Sequence, residues 1–354
     1  MRTLFIVPIQ TSISPNERRS TPGSPSDDWF QELGKLNSVL RVKPKEKHRL
    51  YRPTKIAILD TGVSEDFVEF VECYKDFVGN EDDSWKDNTG HGTNAVRLIQ
   101  KVYNKAEIYI GRVFEDSQAT ANTATLMSQV CAHIYSFVVL LTSQAIHHAK
   151  EIWKVDIIVM PSGFRSENRG MEDKINEARN ANILIFAAAS NYGNLRDFIF
   201  PGRLYKDLKL LCMFSTDHNA RALLNFNPSA LPDVRSFAIL GHDIVLPHVD
   251  EPLSGTSYAT MIGAAVAGRI LDFTRHEDNC GRIRHVEKLN TVEGMSAVFS
   301  EMVNGAVDNG YHCMAPWKIL PPEVPGENPE SKRSRERAYI CETISRALEA
   351  HYRR

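Results

Sequence analysis

Six short apolar runs constrain this chain more than any other feature. They occupy residues 55–59 (KIAIL), 106–113 (AEIYIGRV), 155–160 (VDIIVM), 183–189 (ILIFAAA), 208–214 (LKLLCMF) and 236–240 (SFAIL). Several are apolar at nearly every position. A strand that is wetted on one side alternates apolar and polar residues, whereas a strand covered on both faces has no reason to. Helical patterns lie between the runs, at 91–103, about 122–151, 171–181 and 257–273. This alternation predicts an α/β fold: three layers, α/β/α, around a mostly parallel central sheet. Binding and catalytic groups of such sheets gather at the carboxyl ends of the strands.

The length, 354 residues, is enough for one large domain or two modest ones with a core that needs no staples. Lys+Arg 42 against Asp+Glu 44 leaves a net charge of −2, without the basic surplus of a nucleic-acid-binding protein. The six cysteines are scattered with no CxxC pair, so neither a zinc site nor a disulfide scaffold is expected, and reduced thiols fit best. The longest apolar run, near 130–141, is well short of the ~20 residues that span a bilayer. The first nine residues carry one positive charge and a short apolar stretch, but Pro8 interrupts it and no small-residue cleavage site follows. A cytoplasmic protein is expected, with no membrane or nucleic-acid partner.

Four segments carry chemistry, and each stands at a strand end or a helix start. They are Asp60-Thr61-Gly62, Asp87-Asn88-Thr89-Gly90-His91-Gly92-Thr93, Ala187-Ala188-Ala189-Ser190-Asn191 and Ser254-Gly255-Thr256-Ser257. A serine hydroxyl is a poor nucleophile until a base takes its proton, and the base needs an orienting acid. Ser257, His91 and Asp60 supply those parts. Acyl transfer also builds charge on an oxygen, which the Asn191 amide and a backbone N–H at a helix N-terminus are suited to meet. Each segment alone has a plainer explanation: a turn, a surface histidine, an N-cap. Their conjunction and order separate the readings. Gly255-x-Ser257-x-Ala259 is a near miss to the α/β-hydrolase elbow, but there the serine precedes the acid and the histidine. Pepsin-type proteases need two Asp-Thr-Gly triplets, and only one is present.

On these motifs (strand-DTG, GHGT, AAA-x-N and GTS-x-AT) the chain resembles the subtilisin-like serine peptidases over about residues 54–274, and most of all the intracellular fungal forms with long C-terminal extensions. The resemblance implies a serine endopeptidase that acts on peptides or proteins without a cofactor. Asp60 would orient His91, His91 would act as base and then acid, Ser257 would attack, and Asn191 would bind the oxyanion. It also implies that substrate pairs as an added strand near Gly111, Arg112 and Val113 and near Pro161, Ser162 and Gly163. The pocket for the residue before the scissile bond would be walled by residues 161–163 and by Ala188, Ala189 and Ser190. These small walls point to a medium or large apolar side chain.

The chain departs from the family pattern at Ser190 (usually Gly), Pro161 (usually Ser), Tyr258 (usually Met), Met261 (usually Pro) and Asn94 (usually His). Pro161 removes a backbone donor from the binding strand. An alternative function follows from these changes: a catalytically weak or inactive module of the same fold that binds peptides or partners. A third option is an esterase using the same triad. Residues 128–143 read as an insertion, either a longer helix or loop, or a translated retained intron. The remaining divisions are 1–53, a partly disordered linker with a short helix at 28–41; 275–320, a helical extension; 321–335, a linker; and 336–354, a C-terminal helix with a basic tail. Only 54 residues precede the first strand, so either the enzyme folds without the larger pro-segment of secreted relatives or the chain is a fragment. Residues 65–87 hold nine acidic residues against two lysines. They are a solvated loop or, less in keeping with their irregular spacing, a Ca²⁺ site.

Overall fold

In β1 (Lys55–Asp60), Ile56 and Ile58 enter one hydrophobic cluster while Ala57 and Leu59 enter another, all four at most 1% exposed. Both faces of the strand are dry, which is why its sequence does not alternate. The same division holds in β4 (Ile157–Met160), β5 (Leu184–Ala188) and β6 (Leu211–Thr216). This computed structural model describes residues 23–42, 51–79, 85–115, 127–164, 166–193 and 198–352.

With β2 (Cys73–Asp76), β3 (Glu107–Arg112), β7 (Ser236–Leu240) and β8 (Tyr311–Cys313), these strands form one 8-stranded sheet in the order β2-β3-β1-β4-β5-β6-β7-β8. Every pairing is parallel. From β1 the chain passes to the outer strand β2, returns to β3 between them, and then crosses to β4 and runs outward to β8 on the other side. β1 and β4 therefore flank the point where the winding reverses, the usual position of a site in such sheets.

α1 (Pro25–Leu40), α2 (His91–Val102), α5 (Thr256–Thr274), α7 (Val292–Ser300) and α8 (Pro329–Tyr352) contribute to the cluster on one face. α3 (Met127–His148), which runs into a π-helical turn at Ala149–Trp153, and α4 (Arg169–Asn180) contribute to the other. A short α6 (Glu277–Cys280) follows α5. All residues of α5 are buried, as in a helix that crosses the middle of a domain. Residues 128–143 lie within α3.

The flanking segments are part of this core. Trp29, Leu33, Leu36 and Leu40 of α1 are each about 1–2% exposed, and burying the leucines contributes about 1.5–3 kcal/mol apiece. α1 starts earlier than the apolar spacing predicts because Ser24 and Asp27 form a capping box ahead of Pro25. Its last carbonyls accept from three arginines: Asn37 O from Arg269, Val39 O from Arg337 and Arg41 O from Arg333. Residues 275–320 are not only helical, since β8 pairs with β7 and extends the sheet. Residues 321–335 are not all linker either. Asn328 Oδ1 accepts from Ser331 N–H at 2.9 Å, so the Asn-Pro pair opens α8 at Pro329. No helix among the described residues is long and apolar enough to cross a membrane.

Candidate active site

Asp60 ends β1 with no exposure to solvent, and His91 opens α2. Both carboxylate oxygens of Asp60 lie within hydrogen-bond reach of His91 Nδ1, at 2.9 and 2.8 Å. The Thr61 N–H donates to Asp60 Oδ1 at 2.7 Å and holds the carboxylate in place. Two glycines let the strand end and the helix start meet. A β-carbon on Gly92 would stand 2.0 Å from Gly62 O, so no other residue fits there without displacing backbone.

Asp87 joins the two segments further. Its Oδ1 accepts from Thr61 Oγ1, Thr89 Oγ1 and the N–H groups of Thr89 and Gly90, and its Oδ2 accepts from the Thr93 N–H and hydroxyl. Burial pulls its carboxyl upward, but these bonds, from Thr93 first, hold it below the ordinary aspartate range, so it stays anionic at neutral pH beside the α2 N-terminus. Burial likewise disfavours the charged form of His91. The charge and hydrogen bond of Asp60, with the charge of Asp87, reverse that and leave its pKa raised.

Ser257 is the second residue of α5, in the first turn, where helix N–H groups lack intrahelical acceptors. Its hydroxyl donates to Pro161 O at 2.8 Å. Asn191 follows β5, and its Oδ1 accepts from Thr256 N–H at 2.7 Å. Its Nδ2 is buried and meets no acceptor among the described residues. An amide donor kept dry and unused is costly unless a ligand oxygen meets it. Gly255 sits between the two groups at φ +148°, and a β-carbon on it would lie 2.5 Å from Asn191 Nδ2. Gly255→Ala is therefore expected to destabilise by about 1–3 kcal/mol, seen as a lower thermal midpoint, and to lower activity with it.

The sequence-predicted binding residues divide. Residues 161–163 follow β4 and touch Ser257 through Pro161 O. It is the carbonyl that faces Ser257, so the missing proline N–H is not felt at this contact. Ala188, Ala189 and Ser190 form the segment leading to Asn191 and are at most 1% exposed. Gly111 and Arg112 are a correction. Gly111 and Arg112 pair with β1 on one side and β2 on the other, and Val113 N–H donates to Asp60 O at 2.8 Å. Both edges are taken at Gly111 and Arg112, so a peptide does not pair at these two residues. The Arg112 guanidinium is committed to Asp76 at 2.8 Å. Of the acidic run 65–87, residues 80–84 lie outside the described residues, and among the described residues no three metal-capable side chains converge.

An aspartate four residues before the helical His91, as Asp87 is, is a visible N-terminal signal in the sequence, but its bonds to Thr61 and Thr93 are set only by the fold. Likewise the sequence shows Tyr258 but not that its ring packs on the His91 imidazole, with centroids 5.5 Å apart.

The protein can be compared with known ones on this basis. No family model matches the chain. It is 26% identical over 285 residues to the subtilisin-like protease het-Q2 of Podospora anserina, covering 75% of this chain and 73% of that one. It is 28% identical over 273 residues to thermitase of Thermoactinomyces vulgaris, covering 73% and 88%. These likenesses point to the subtilisin-like serine proteases. The chain is also 24% identical over 225 residues to the minor extracellular protease Epr of Bacillus subtilis, of which it spans only 31%. Among solved structures, the prenylagaramide maturation protease PagA superposes with a TM-score of 0.54 at 18% identity, over 89% of this chain and 98% of that one, which speaks for the fold. The named relatives support a serine-type peptidase, a hydrolase.

Proposed function

We propose that the protease is an endopeptidase working through an acyl-enzyme, with Ser257 as nucleophile, His91 as base and then acid, Asp60 as orienting carboxylate, and Asn191 as oxyanion donor. The observation that carries this reading is the double contact of Asp60 with His91 Nδ1. A carboxylate can only accept, so the proton sits on Nδ1 and leaves Nε2 as the base. An entering peptide N–H replaces the Ser257 hydroxyl on Pro161 O and frees that hydroxyl for Nε2. Attack on the carbonyl carbon moves the hydroxyl proton to Nε2. The oxyanion is met by Asn191 Nδ2 and the Ser257 N–H. His91 then protonates the leaving amine, and water repeats the sequence on the ester. The reading extends to a cytoplasmic enzyme of restricted specificity, supported by near-neutral charge and four described cysteines that are free thiols.

A fluorophosphonate, which reports an activated serine without a known substrate, tests the reading. Labelling is expected for the wild type and lost in Ser257→Ala and His91→Ala. A folded wild type that does not label returns the protein to the peptide-binding alternative.

The pH dependence follows from His91. The base must be neutral, and its pKa is raised, so activity falls as pH drops through a limb above the ordinary imidazole value of about 6.5. Asp87→Asn removes one of the charges that raise it. The acid limb of kcat/KM should move to lower pH, while loss of the carboxylate cap lowers the thermal midpoint. A limb that stays in place would separate Asp87 from the titration of His91.

A further inference from the structure

A third segment, residues 198–201, packs against the two segments that flank Ser257. Pro161 O lies 2.8 Å from Ser257 Oγ, and Asn191 Oδ1 accepts from the N–H of Thr256, the residue before Ser257. A peptide carbonyl seated on Ser257, with its oxygen on Asn191, has residues 161–163 and 188–190, the segments that carry Pro161 and lead to Asn191, as its neighbours. Ile199 bridges those two walls. Its N–H donates to Ala189 O at 3.3 Å. Its side chain lies against Gly163, where an added β-carbon would be 2.4 Å from Ile199 Cδ1 and 2.6 Å from Cγ1. Phe200 exchanges both backbone hydrogen bonds with Phe164, at 2.6 and 2.7 Å, which pins the segment there. On the facing wall Ser190 is fully buried, with its hydroxyl 3.4 Å from Tyr192 N–H. A side chain therefore fills space that glycine would leave open.

We infer that Ile199 limits the residue contributing the scissile carbonyl to a small one: glycine, alanine or serine. This replaces the roomy apolar pocket that the small walls alone imply. The space beside Gly163 is already filled by branched carbon, and a leucine or phenylalanine must displace it. One methylene too many in an apolar pocket discriminates by about 10–200-fold. The inference rests on Ser257 being the nucleophile.

The test uses the full chain as wild type, Ile199→Gly and Ile199→Ala, each labelled with a fluorophosphonate and then given fluorogenic peptides differing only in Ala, Leu or Phe at that position. The wild type is expected to favour the Ala peptide by at least about 10²-fold in kcat/KM. Ile199→Gly should raise kcat/KM for the Leu and Phe peptides by about 10–200-fold. Ile199→Ala, which keeps a β-carbon and is gentler on folding, should shift them in the same direction by less. A labelled wild type that cuts Leu or Phe peptides as fast as Ala peptides overturns the inference, as does an unchanged ranking in both variants. Folded protein that fails to label in all three forms overturns the nucleophile assignment itself.

Discussion

Ser257→Ala is expected to lower kcat by about 10⁶-fold, the size of loss that removing the nucleophile causes in subtilisin. His91→Ala should lose about as much, and the double variant little more, because the two groups act as a unit. The serine variant is the cleaner of the two. It gives up one hydrogen bond, to Pro161 O, worth about 0.5–1.5 kcal/mol, so its thermal midpoint should stay near that of the wild type. His91→Ala instead leaves the Asp60 carboxylate buried, with Thr61 N–H as the remaining contact described above, and should melt lower. Kinetics on any cleavable peptide, read beside thermal unfolding, check both points. Residual turnover within tenfold of wild type in a folded Ser257→Ala protein would sink the proposed mechanism.

The second large effect is expected at Asn191. Removing a single oxyanion donor lowers kcat by about 10²–10³-fold, or about 2.7–4 kcal/mol of barrier, with KM changed far less. In the proposed mechanism Asn191 has two separable duties: its Oδ1 caps Thr256 N–H, and its Nδ2, which meets no acceptor among the described residues, would serve the oxyanion. Asn191→Ala removes both, so kcat and the thermal midpoint should fall together. Asn191→Asp keeps an acceptor for Thr256 and replaces the donor with negative charge. Its stability should be better preserved, and its kcat should fall at least as far. A variant in which KM rises and kcat holds would show that Asn191 serves ground-state binding instead.

Tyr258 links these residues. Burial of its phenol, with the charges of Asp60 and Asp87 nearby, raises its pKa further, so it stays neutral and its ring packs on His91. An aromatic face beside an imidazole that becomes positive during the reaction is a favourable neighbour.

Much of the architecture could be read from local pattern. β1, β4, β5 and β7 were legible because a strand dry on both faces is written as unbroken apolar sequence. α1 was legible from Trp29, Leu33, Leu36 and Leu40 at helical spacing. β2 and β8 were not. They are the outer strands of the sheet, with three or four residues each and polar residues among them. Their pairing depends on β3 and β7, which lie far away in sequence. The same reason separates the two halves of the site. Asp60, His91, Asn191 and Ser257 each sit in a motif whose local geometry, strand end or helix start, is encoded by immediate neighbours. Gly111 and Arg112 were misjudged because sequence does not show that β2 occupies their free edge. Ile199 went unnoticed because an isoleucine says only that it prefers to be buried. Pairing of Phe200 with Phe164 brings it against Gly163, and burial preference is a property of one residue whereas the identity of its neighbour is a property of the whole fold.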